Sequence, residues 1–146
     1  ITFITSFCIF IFKPKNKIKM GKNTDLGLLF LRISVGGLML FHGVAKLLHG
    51  IEFLVQSMGT FGYAVYIGEV LAPLAILIGW RTRIAAVILA INCVVAVGVA
   101  HSKDIFSISE HGGYANELLM LYLLGAVALF FTGAGKYAMS SQNTWD

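Results

Sequence analysis

The chain has 146 residues, room for one domain, of which 58% are hydrophobic and only 12% charged, with a formal net charge of +4. Soluble domains carry about 25% charged residues, and a small one has much surface to cover for its volume, so this composition excludes a protein dissolved in water alone. The charge does not indicate nucleic acid either, because five of the eleven basic residues (Lys13, Lys15, Lys17, Lys19 and Lys22) form one run ahead of the first long apolar stretch, where a membrane protein facing an anionic leaflet carries them.

The opening stretch ITFITSFCIFIF is apolar but too short to cross a bilayer as a helix. Its basic residues follow the apolar part, the reverse of a secretory signal. Met20 stands directly before MGKNTDLG. Residues 1–19 are therefore read as an upstream extension, with an interfacial anchor as the alternative, and residues 20–146 as the single domain. Cys8 and Cys93 are distant in the chain and part of no C-x-x-C or Cys/His cluster, so no disulfide framework, zinc site or dithiol centre is expected. Cys93, inside an apolar run, reads as a small packed hydrophobe.

Four stretches then have the length and apolarity of a transmembrane helix: residues 26–48, 63–80, 84–100 and 118–134. Asn23, Thr24 and Asp25 offer capping chemistry before the first. Pro73 lies inside the second, a position that a membrane helix tolerates. Residues 49–62 read as a Gly-bearing connection, 81–83 as a tight basic turn and 101–117 as a polar loop. Gly133 and Gly135 mark the end of the fourth. The runs show no period-2 alternation, which argues against a barrel, and short connections make neighbours antiparallel. The expected fold is all-α: a four-transmembrane-helix antiparallel bundle.

Orientation follows from the positive-inside rule. With the N-terminus in the cytoplasm, Lys22, Arg81, Arg83 and Lys136 lie inside, while the outer loops hold Lys103, with Lys46 at a helix edge. Both termini are thus expected inside, in a bacterial inner membrane. At about 1.5 Å per residue, His42 and Lys46 fall near the outer end of the first span, and Glu69 lies roughly 9 Å below the outer edge of the second. His101 ends the third span outward, and Glu117 opens the fourth. Arg32 and Asn92 lie deeper.

His42 and Lys46 share a helix face. Arg32, Gly36 and Gly43 join it within an arc of about 120°, and the glycines admit a close neighbour. A single charge at mid-membrane costs at least ~2.5–3.5 kcal/mol, so these groups must face inward and pair. Glu69 is the natural partner of Lys46 or of Arg32. One outcome is an ion-pair network that only sets helix register; snorkelling of Lys46 to the interface is another. The favoured outcome is a polar pocket open toward the outer side, where titratable His and Glu suit proton transfer. His42 and His101 could ligate a haem iron axially, but hydrogen-bonded edge histidines are the preferred reading. His111 reads as a solvated loop residue. No metal site, P-loop, nucleophile elbow or dinucleotide fingerprint is present.

Three segments resemble the DoxX family of small four-helix membrane proteins. They are LRISVGGLMLFHGVAKL at 31–47, GEVLAPLAILIGWRTRIAA at 68–86 and GGYANELLMLYLLGAVALFFTGAGKYA at 112–138. Some members of that family look like membrane subunits of thiosulfate–quinone oxidoreductases, and others associate with redox-stress enzymes. The resemblance thus implies a quinone-linked redox role, with Arg32, His42, Lys46, Glu69 and Glu117 as pocket candidates beside His101. The chain has no electron carrier of its own, so such a role needs an oxidoreductase partner or a bound quinone. The alternatives are a small proton-coupled transporter, disfavoured by the cations around Glu69, and a non-catalytic membrane scaffold. Oligomeric state is left open.

Overall fold

The computed structural model describes residues 23–110, 112–140 and 145–146. The expectations for residues 1–19, for Lys22 and for His111 lie outside them. Among the described residues there is no strand, only a lone antiparallel bridge between Ile108 and Tyr114. The helices are α1 (Thr24–His49), α2 (Glu52–Ala64), α3 (Ile67–Ile78), α4 (Thr82–Ala100) and α5 (Glu117–Thr132).

Helix α1 is continuous but widens into a π turn over Ile33–Gly37. Asn23 stands at its N-cap without a side-chain capping bond. Asp25 instead accepts the backbone N–H of Lys136 at 2.9 Å, which ties the start of α1 to the segment after α5. Gly50, at φ 85°, ends the helix.

The segment expected to be a plain connection is helical. It runs as an α-helix over Glu52–Met58 and tightens to 3₁₀ over Gly59–Ala64, and α2 then meets α3 at a bend of 56°. Leu54, Met58 and Phe61 recur at helical spacing, a faint signal in so short an apolar stretch. Helix α3 opens with a second π turn, Ile67–Leu71, in which the Ala72 N–H reaches back to the Ile67 carbonyl. Its cause is local: Pro73 has no N–H to donate to the carbonyl of Glu69, four residues earlier, and the ladder must shift. Gly79, left-handed at φ 74°, stops α3 two residues before the expected end. Helix α5 stops at Thr132 because Gly133 turns at φ 77°.

The core joins α1, α3, α4 and α5 through Met39, Ile76, Leu89, Cys93, Ala126 and Leu129. Small residues on α4 and α5 (Ala85, Ala86, Ala126) are fully or nearly fully buried and let those two helices pack closely. The outside is apolar: Phe41 is 75% and Phe131 72% exposed. In water a surface of this kind drives aggregation; against lipid it is the natural boundary. The molecule is an all-helical membrane protein. Helices α1 and α4 are each long and apolar enough to cross a bilayer, and the bent α2–α3 pair counts as a third span if taken as one. The fourth apolar helix, Glu117–Thr132, is shorter than the expected span, because the turn at Gly133 removes its last residues.

A candidate ligand pocket at a buried ion pair

Glu69 projects from the π turn of α3 and is 4% exposed. Lys46, on α1, places its Nζ 2.5 Å from Glu69 Oε1. From α4, Asn92 Nδ2 donates to the same oxygen at 3.4 Å. Two glycines make this meeting possible. A side chain at Gly43 would run into the backbone carbonyl of Glu69, and one at Gly68 into the side chain of Asn92. The chain thus brings three helices to one carboxylate by omitting two side chains. Both donors fall on Oε1. Glu69 Oε2 is buried with no hydrogen-bond partner among the described residues, an arrangement that native interiors rarely leave unmet.

Beside the pair lies a cavity of about 740 Å³, within the usual range for a small-molecule site. Its walls are mostly apolar: Met39 from α1, Phe53 and Met58 from α2, Ile91 and Val95 from α4, and Leu119 from α5. Polar groups reach it at few points, chiefly Lys46, Glu69, Asn92, His42, His101 and Asn116. His42 meets the ring of Tyr122 edge to face, centroids 6.0 Å apart. Asn116 Nδ2 is engaged by the Asp104 carbonyl at 3.1 Å, so it closes the loop before α5. Such a cavity suits an amphiphile with a compact polar end and a long apolar body.

Four of the six residues selected from sequence, His42, Lys46, Glu69 and His101, line this cavity. Arg32 does not, although it lies on the expected face of α1. It sits 14 positions before Lys46, ~21 Å along the helix, and meets the other end of α3. Its Nε donates to the Ile76 carbonyl at 2.8 Å and Nη2 to Leu77 at 2.6 Å. Its Nη1 serves Ala134 at 3.1 Å and Tyr137 at 2.7 Å. Antiparallel packing thus gives Arg32 the C-terminal carbonyls of α3 instead of Glu69. Glu117 is likewise apart: its exposed carboxylate lies close to Gly113 in the preceding loop. Asn92, visible as a polar residue within an apolar run, belongs to the site. The contribution of α2 is the part that sequence reasoning misses, because a stretch this short reads as a loop.

The fold and pocket define a class: an all-helical membrane protein with an apolar cavity tipped by an ion pair. The DoxX family profile matches residues 27–102. The chain belongs to the DoxX family. It is 31% identical over 125 residues to an uncharacterized protein of Haemophilus influenzae, covering 79% of this chain and 89% of the relative. It is 27% identical over 126 residues to "Putative oxidoreductase CatD" of Bacillus subtilis, covering 82% and 89%. No solved structure matches.

Proposed function

We propose that the protein is a quinone-binding membrane subunit that serves an oxidoreductase partner. The observation that carries this reading is the apolar cavity of about 740 Å³ whose few polar lining residues include the Lys46–Glu69 ion pair. An isoprenoid quinone is an amphiphile of matching kind, with a flat polar ring and an apolar tail. When bound it would supply a two-electron, two-proton acceptor. The chain's own residues would do the rest. Lys46 and Asn92 present N–H donors beside the carboxylate, Glu69 an acceptor, and His42 and His101 add titratable groups to the wall. Phe53, Met58 and Ile91 would shield the ring from water. The oxidoreductase named among the relatives is consistent with a redox setting.

We further place the protein in a bacterial inner membrane as a bundle of four crossings, with both termini in the cytoplasm. The Lys/Arg asymmetry supports that orientation, which puts the pocket near the outer interface. A reporter fused after Asp146 should report the cytoplasm and one inserted near Ser107 the periplasm; the opposite result reverses the drawing. The functional reading is tested with purified protein in lipid nanodiscs. A short-chain quinone, offered in both redox states, should bind saturably, and the tighter form should lose at least about tenfold in affinity on His42→Ala or Glu69→Gln with the fold intact. A folded wild-type protein that binds neither form favours the scaffold reading instead.

A further inference from the structure

Helix α4 presents two faces over the same turns. Ile84, Val87, Ile91 and Val94 recur at helical spacing and are exposed, the stripe that lipid covers. Ile88, Asn92, Val95 and Val99 line the cavity. Ile91, 59% exposed, lines the cavity too and so belongs to both faces. Helix α3 repeats the pattern. Its exposed stripe is Ile67, Leu71, Leu74 and Ile78, and Ile67, 49% exposed, is also a lining residue. Where a cavity wall and a lipid-facing surface share side chains, the cavity is open to the side. The seam between α3 and α4 is closed where Gly68 meets the Asn92 side chain, and the two isoleucines stand beside that contact.

Lys46, Glu69 and Asn92 set the polar end of the site at this level. A cavity of about 740 Å³ encloses a drug-sized molecule, so a ring carrying many prenyl units does not fit whole and its tail must leave. Along α4 the way out ends at His101, ~13.5 Å beyond Asn92, with Asn116 also on the wall. An apolar chain leaving there would meet polar groups and water, and each CH₂ exposed to water costs free energy. The seam between α1 and α5 is crossed by the His42–Tyr122 ring contact. Between α3 and α4 the tail meets isoleucine and valine side chains and then lipid. We infer that the cavity opens sideways into the bilayer between α3 and α4, where Ile67 and Ile91 frame the passage taken by the ligand's tail. This inference rests on the quinone-linked reading above and adds to it the route of the tail.

The test uses protein in lipid nanodiscs and two ligands: ubiquinone with a long prenyl tail, and the same ring with a hydrogen in place of the tail. Ile91→Trp keeps an apolar side chain against lipid but narrows the passage. It should weaken the tailed quinone at least about tenfold and leave the tail-less ring within about twofold of wild type. Val94→Trp, a change on the lipid-facing stripe of the same helix, should leave both unchanged. A second measurement needs no substitution: a quinone carrying a diazirine in its tail should label the peptides that hold Ile67 and Ile91, and excess plain quinone should protect them. Unchanged binding of the tailed quinone by Ile91→Trp, or an equal loss for both ligands, overturns the passage while leaving quinone binding intact. So does a loss confined to the tailed quinone on Leu118→Trp, or protectable labelling centred on Leu118, a lining residue of α5, since either puts the tail between α1 and α5. Should Ile91→Trp not fold, the labelling pattern decides. A wild-type protein that binds neither ligand overturns the functional reading itself.

Discussion

Arg32 and Lys46 lie on one face of α1 and meet the same neighbouring helix, yet their surroundings differ in kind. Arg32 is 1% exposed and fully engaged: its guanidinium reaches four carbonyls in two segments of the chain. Two of them belong to the last turn of α3, where the helix dipole favours a cation; the Ile76 carbonyl also accepts the Gly79 N–H. Lys46 is about one-third exposed in its side chain (34%) and borders a cavity, and its carboxylate partner keeps one oxygen without a partner among the described residues. The same apparent cost, a charge inside an apolar helix, is met in one place by the backbone and in the other only halfway. The first arrangement holds helices together. The second sets a partly exposed ion pair at the edge of a cavity.

Breaking the Arg32 end should have the largest effect on stability. Arg32→Leu strands carbonyls from α3 and from the segment after α5, and should cost on the order of 3–5 kcal/mol in reversible unfolding in mixed micelles. Arg32→Lys should recover only a small part, because a compact ammonium cannot span acceptors that a planar guanidinium reaches together. A fully stable Arg32→Leu protein would make the hub irrelevant to folding.

The glycines should come next. Gly43→Ala pushes a methyl group into the Glu69 carbonyl and should cost about 1–3 kcal/mol, the range for overpacking. It should also weaken ligand binding by moving α1 away from α3. A methyl group added at Gly98, on α4, would meet nothing within 4 Å, and Gly98→Ala should stay within about 1 kcal/mol of wild type. Equal melting curves for the two variants would show that the close approach at Gly43 is not needed.

The ion pair itself should be the weakest contributor to stability. A double-mutant cycle with Lys46→Leu and Glu69→Leu should give a coupling of about 1–2 kcal/mol, because Lys46 can withdraw toward the interface. The double variant should be close to wild type in stability, since apolar replacements suit this environment, while ligand binding is lost. A double variant that keeps full binding would remove the pair from the pocket's chemistry.

The membrane class was readable from composition, since 12% charged residues cannot solvate a small domain. The end at Gly133 and the tolerance of Pro73 were readable too, because glycine and proline act on the backbone locally. So was the face of α1 that carries Arg32, Gly43 and Lys46, which follows from helical periodicity alone. Which cation meets Glu69 was not. Arg32 and Lys46 were both candidates by side-chain length, and only the antiparallel register of α3 against α1 put Lys46 beside Glu69 and Arg32 beside Ile76 and Leu77. Periodicity gives a residue's angle around its own helix. The height at which it meets another helix depends on where both helices start, how their π turns shift them and which glycines let them touch. The same holds for the cavity: α2 closes it through Phe53, Met58 and Phe61, a short segment whose helical state depends on packing that its own length cannot supply.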